Sequence, residues 1–91
     1  MGRHCVYIVA CSDGTLYTGY TADLRRRLRQ HNDGTGAKYT RGRRPVTLAY
    51  MEVVRDRNVG LRREIQIKMM SRSAKLLLCT KYSRKPAPSQ G

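Results

Sequence analysis

The chain has no tryptophan and no phenylalanine, so tyrosine supplies all of its aromatic side chains. Basic proteins that lie on membranes carry large apolar anchors on one helix face, and the lack of those residues argues against a membrane partner. Acidic residues are scarce as well: 6 Asp+Glu against 19 Lys+Arg leave a net charge of +13. An imbalance of that size repels itself unless a polyanion uses it, which makes nucleic acid the leading partner class. Cysteine occurs only as Cys5, Cys11 and Cys79, an odd number with neither CxxC nor CxxH spacing. Neither a disulfide framework nor a zinc knuckle fits that pattern, and reduced, half-buried thiols do. No apolar run approaches the length of a membrane span or a signal-peptide core. A cytoplasmic location is expected.

With 91 residues the chain is one domain of modest core. The polar, proline-bearing end SRKPAPSQG, residues 83–91, reads as a disordered tail, leaving 1–82 as the folded unit. There is no internal repeat.

What the chain does have is concentrated between Cys5 and His31, in CVYIVACSDGTLYTGYTADLRRRLRQH. Residues 5–11 are rich in β-branched and aromatic side chains, and Thr15 to Tyr20 resume that character after Ser12-Asp13-Gly14, the signature of a hairpin. A two-residue Asp13-Gly14 turn would pair Tyr7 with Tyr20 and send Tyr17 to the opposite face. A three-residue Ser12-Asp13-Gly14 loop with Gly14 left-handed would pair Val9 with Tyr17, making Tyr7 and Tyr17 diagonal neighbours on one face. The residues alone permit either.

A helix follows, capped by Thr21 or Asp23 and closed at Asn32-Asp33-Gly34. Its stripe at helical spacing is Leu24, Arg27, Leu28 and His31, so Arg27 and His31 share the side that faces the sheet. A charge there needs a partner or a task. Arg25, Arg26 and Arg29 fall on other faces and read as solvated or phosphate-facing. The glycine-rich stretch GTGAKYTRGRRP, residues 34–45, reads as a loop whose Lys38, Arg41, Arg43 and Arg44 suit a phosphate backbone. A third strand is expected from Val46 to about Val54, with Val46, Leu48 and Tyr50 alternating against Thr47 and Ala49. A second long helix, capped by Asp56 or Asn58, should reach about Met70 despite the cost of Gly60, with the stripe Leu61, Glu64, Ile65, Lys68, Met69. Ser71 or Ser73 caps a short third helix through Leu76-Leu77-Leu78. The fold class is α/β: a small three-stranded sheet, formed by the hairpin and a third strand, flanked by about three helices.

Tyr7 in the first strand, Tyr17-Thr18-Gly19 in the second, Arg27, His31 and a later Glu64 together resemble the GIY-YIG nuclease family. The similarity spans about residues 4–80 and is strongest to the small stand-alone bacterial members, whose look is shared by LYTGYT, GAKYTRGRRPV and REIQIKMMSR. The catalytic domain of the Slx-type structure-selective nucleases is also similar. The resemblance implies hydrolysis of a phosphodiester in DNA by metal-activated water, with Mg²⁺ or Mn²⁺ as cofactor and a role in DNA repair or recombination. It also implies that both tyrosines lie on one face, which favours the three-residue hairpin loop. The first motif falls on Cys5-Val6-Tyr7 in place of the name-giving Gly-Ile. The asparagine that many members carry after the glutamate helix has no counterpart, because the last asparagine is Asn58.

Each residue has a chemical task and a plain alternative. Mg²⁺ keeps several of its waters, so a lone Glu64 is enough to hold it; otherwise Glu64 pairs with Lys68 one turn on, worth roughly a few tenths of a kcal/mol. Arg27 would stabilise the extra negative charge on phosphate as water attacks, or make one more surface contact like its neighbours. Tyr7 and Tyr17 jointly orient or deprotonate the water, although a phenol with a pKa of about 10 needs help from cations to do so; otherwise they pack across strands. His31 shares proton transfer or binds a phosphate oxygen, or is structural. Two readings follow: a metal-dependent endonuclease, or a non-catalytic DNA- or RNA-binding module that retains the fold. A subunit of a larger repair assembly is a third, weaker one.

Overall fold

The computed structural model describes residues 3–84. Three strands, β1 (Cys5–Ala10), β2 (Leu16–Thr21) and β3 (Thr47–Val53), form one antiparallel sheet in the order β2-β1-β3. Four helices accompany it: α1 (Leu24–Asp33), α2 (Lys38–Arg41), α3 (Arg57–Lys68) and α4 (Arg72–Arg84). β1 lies in the middle and is covered on both sides, which is why CVYIVA reads as a continuous apolar run. On one face Tyr7, Val9, Cys11 and Val46 pack with Tyr17, Leu48 and Met51 against Leu24 and Leu28 of α1. On the other, Val6 and Ile8 pack with Tyr50 and Val54 against Ile67 of α3 and Leu78 and Cys79 of α4.

The hairpin adopts the three-residue loop. Gly14 is left-handed at φ 85°, its N–H bonds the Cys11 carbonyl at 3.0 Å, and Val9 faces Tyr17 while Tyr7 faces Gly19. Asp13 braces the turn by accepting from both the amide and the hydroxyl of Thr15. α1 begins at Asp23, whose carboxylate accepts from Arg26 N at 3.2 Å, and ends at Gly34, left-handed at φ 90°. Asn32 then ties this helix to the start of β3 by donating to the Val46 carbonyl and accepting from its N–H.

Several sequence expectations are corrected. The stretch 34–45 is not all loop, because α2 makes one helical turn around the buried Thr40. In β3 the register shifts between Ile8, which faces Tyr50, and Val9, which faces Leu48. Ala49 is thereby left as a bulge and breaks the simple alternation: Leu48 and Val46 point to the α1 side and Tyr50 to the other. On α3 the inward residues are Gly60 and Ile67, whereas Ile65 and Met69 are exposed. The reason is Gly60: a Cβ there would stand 2.6 Å from the Tyr20 ring, so the helix rests on the sheet through its glycine and turns Ile65 and Met69 outward. α4, capped by Ser71, is longer than expected and includes Ser83 and Arg84; the rest of the proposed tail lies outside the described residues. Among the described residues no helix is long and apolar enough to cross a membrane.

Candidate active site

Tyr7 stands at the centre of the sheet, on the face covered by α1, and is fully buried. Its hydroxyl extends over Gly19 on β2, where a Cβ would lie 2.5 Å from the phenolic oxygen. Glycine in the second motif is thus the space that lets the phenol pass its neighbouring strand. Tyr17, diagonal to Tyr7, lies on the same face.

α1 delivers the polar groups that meet these tyrosines. His31 is completely buried, with Nε2 2.8 Å from the Tyr7 hydroxyl and Nδ1 2.8 Å from Thr40 Oγ1. Its ring meets both tyrosine rings edge-on, at 5.8 Å from Tyr7 and 5.4 Å from Tyr17. Arg27, one turn earlier, borders both phenols and donates to Gln30 Oε1 at 3.2 Å. Burial pushes the Tyr7 phenol up to about 12; Arg27 pulls it down, and Tyr17 and Glu64 add to the rise. Burial also lowers His31, and the Arg27 guanidinium lowers it further, so the imidazole is held neutral. For Arg27 burial acts to lower the value, but the two phenols outweigh it and the guanidinium is raised.

Glu64 reaches this neighbourhood from the opposite side of the sheet, on α3, close enough for its charge to act on Tyr7. Its side chain is 17 % exposed and one oxygen lies 3.2 Å from Lys68 Nζ, the helical ion pair anticipated as the alternative to metal binding. Among the described residues no three His, Cys, Asp or Glu side chains cluster as a metal cage. The donor chemistry nevertheless fits a hard divalent cation such as Mg²⁺, which takes one or two carboxylates, its own waters and substrate phosphate.

The surface cations divide into two groups. Arg25, Arg26, Arg29, Lys38 and Arg41 are exposed on α1 and α2. Grooves of about 550 Å³, bordered by Arg25 and Arg29, and about 410 Å³, bordered by Arg41 and Arg44, run beside these helices. A third, about 330 Å³ and lined by Arg26, Arg27 and Tyr20, is the one that adjoins the tyrosine cluster. Arg43 is half-exposed but tied down by its own neighbours. It bonds Asp13 at 3.0 Å, donates to the Tyr39 carbonyl and lies 4.2 Å above the Tyr39 ring, which itself stacks on Tyr17. Arg44 is exposed like the first group and also donates to the carbonyls of Arg41 and Asn32.

Sequence reasoning missed Thr40, the only buried side chain of α2, because a threonine in a glycine-rich basic stretch carries no periodic signal. It also gave no task to His4 and Tyr20, which pair at 2.6 Å with Tyr20 seated on Gly60.

Residues 3–77 match the family model described as the GIY-YIG catalytic domain. A UPF0213 protein of Halobacterium salinarum is 56 % identical over 72 residues, covering 79 % of this chain and 94 % of the relative. One from Staphylococcus saprophyticus is 51 % identical over 78 residues, covering 86 % and 95 %. The solution structure of a UPF0213 protein from Bacillus halodurans is similar with a TM-score of 0.56 at 43 % identity, covering 87 % of this chain and 84 % of that one. A solution structure of a protein from E. faecalis gives 0.61 at 34 % identity, with 96 % of each chain covered.

Proposed function

The chain belongs to the GIY-YIG family, and from that premise we propose that it is a divalent-metal-dependent endonuclease that hydrolyses phosphodiester bonds in DNA, in the cytoplasm and in the service of repair or recombination. The observation that carries this reading is the convergence of Tyr7, Tyr17, Arg27 and His31 on one face, with Glu64 within electrostatic reach of Tyr7.

Glu64 would hold Mg²⁺ or Mn²⁺, which when bound polarises the phosphate and makes water a better nucleophile. Tyr7 and Tyr17 orient the attacking water. A phenol raised to about 12 is not ionised at neutral pH, so Tyr7 accepts a proton from water only if its own can leave. Nε2 of the neutral His31, 2.8 Å away, is the group placed to take it. Arg27 is permanently charged and fixed beside both phenols, and there it stabilises the negative charge that builds on the phosphate. The exposed Arg25, Arg26, Arg29, Lys38, Arg41 and Arg44 hold the DNA backbone by charge and shape, and Arg43, the other cation of the 34–45 segment, also shapes it.

One observation favours the second reading, a DNA- or RNA-binding module without turnover: Lys68 occupies one oxygen of Glu64, the acid proposed to hold the metal. The test is cleavage of end-labelled duplex, single-stranded, nicked and branched DNA by the purified protein with Mg²⁺ or Mn²⁺, beside an EDTA control. Cutting that stops with EDTA supports the nuclease. Salt-sensitive binding with no cutting of any substrate supports the binding module.

A further inference from the structure

The hydrogen bonds around His31 point to where its proton sits. Thr40 has one hydroxyl proton, and its Oγ1 lies 3.0 Å from the Ala37 carbonyl. A carbonyl oxygen can only accept, so the hydroxyl has a partner there beside the Thr40 N–H, which donates to the same carbonyl at 3.1 Å. With the hydroxyl turned that way, the same oxygen accepts from His31, and the ring atom facing it at 2.8 Å, Nδ1, carries hydrogen. In a neutral imidazole the other nitrogen is then a bare lone pair. Nε2 therefore accepts from the Tyr7 hydroxyl at 2.8 Å, and the phenolic proton points at the histidine.

The surroundings hold the ring and the hydroxyl in place. His31 and Thr40 are both fully buried. Gly36 is pressed against the same edge of the ring: a Cβ there would stand 2.7 Å from Nδ1 and 2.8 Å from the His31 Cα. Thr40 is held by the single turn of α2, whose first residues follow Gly36 directly. A hydroxyl from a separate element thus reads one nitrogen of the histidine and decides what the other one does.

We propose that Thr40 is a positioning residue that holds His31 in the Nδ1–H tautomer and so makes Nε2 the acceptor for the Tyr7 phenolic proton. The catalytic half of this inference rests on the nuclease reading; the tautomer half does not. When water is deprotonated at Tyr7, the phenolic O–H bond breaks and its proton forms the Nε2–H bond. The resulting imidazolium keeps its Nδ1–H on Thr40, with no second rearrangement. In the opposite tautomer Nε2–H would donate to Tyr7 and the phenolic proton would have no acceptor on the histidine.

The experiment is long-range ¹H–¹⁵N correlation of the His31 ring at neutral pH, assigned with His31→Gln, on the wild type, Thr40→Val and Thr40→Ser. The wild type should show protonated Nδ1 and bare Nε2. Thr40→Val keeps the shape and loses the hydroxyl, and it should shift the ring toward Nε2–H. Thr40→Ser should restore the wild-type pattern. In the cleavage assay Thr40→Val should lose kcat on the order of 10²-fold, the scale of a misplaced acid–base group, with KM nearly unchanged; Thr40→Ser should recover most of it. Protonated Nε2 in the wild type overturns the proposal, and that spectrum needs no variant to fold. An unchanged tautomer in a folded Thr40→Val also overturns it. A wild type that binds but never cuts contradicts the nuclease reading alone, and the spectra still decide what Thr40 does to His31.

Discussion

Tyr7 faces Gly19 across the β1–β2 ladder, and its hydroxyl fills the space where a side chain at position 19 would begin. The phenol reaches His31 only because that position is empty of a side chain. Substituting Gly19→Ala should therefore push the Tyr7 ring away from His31 and cost about 1–3 kcal/mol of stability through overpacking. DNA cleavage reads the first effect and denaturant titration the second. Cleavage should fall sharply while salt-sensitive binding stays close to wild type, because the cations proposed to hold DNA are elsewhere.

His31 gives the protein a pH signature. Its folded-state value is held below the ordinary 6.5, mainly by burial and then by Arg27. The unfolded chain takes up this proton more readily than the folded one, so the stabilisation is complete above about pH 6.5 and is lost as pH falls below it. Asp13, Asp33 and Asp56 are also lowered, but from 3.8, so their contributions fade only in more acidic solution. Denaturation midpoints measured from pH 7.5 to 5 should decline for the wild type and decline less for His31→Gln. Equal slopes would contradict the assignment.

Gly60 should reverse the usual helix rule. In an exposed helix Gly→Ala gains about 1 kcal/mol. Here the new methyl would meet the Tyr20 ring at 2.6 Å and Val54 at 3.1 Å. Gly60→Ala is expected to destabilise the protein and, by lifting α3 and Glu64 from the sheet, to raise the Mg²⁺ concentration needed for cleavage. A double-mutant cycle with Tyr20→Ala checks it, since most of the penalty should vanish in that background.

The cations should separate in a salt titration. Removing any one of Arg25, Arg26 or Arg29 should weaken DNA binding at all sequences and lower the slope of log K against log salt by about 0.9. Arg43→Ala should leave that slope almost unchanged and reduce stability instead, because Arg43 is spent on Asp13, the Tyr39 carbonyl and the Tyr39 ring. A full unit lost from the slope with Arg43→Ala would make it a phosphate contact.

Local signals in the sequence carried much of the fold. Asp23 and Gly34 bracket α1, its stripe of Leu24, Arg27, Leu28 and His31 faces the sheet, and Gly14 closes the hairpin. The departures all arise from contacts between distant segments. Ala49 bulges because β3 must satisfy β1 on two faces, and α3 turns Ile65 outward because Gly60 rests on Tyr20. For the site, the helix stripe singled out Arg27 and His31, and the family resemblance joined them with Tyr7, Tyr17 and Glu64. The choice of hairpin register came from the family resemblance, and the three-residue loop is the one the fold adopts. Thr40 could not be read at all, since the role proposed for it lies in which way one hydroxyl hydrogen points.

Glu64 is the residue on which the central claim turns, and the decisive measurement is cleavage and binding of DNA by Glu64→Gln beside the wild type, with Mg²⁺ and with EDTA. The substitution keeps the size of a side chain that is 17 % exposed and removes its charge. The nuclease account predicts that the wild type cuts only with metal, that Glu64→Gln does not cut, and that both bind DNA with the same salt dependence. Cutting by Glu64→Gln at the wild-type rate would contradict it.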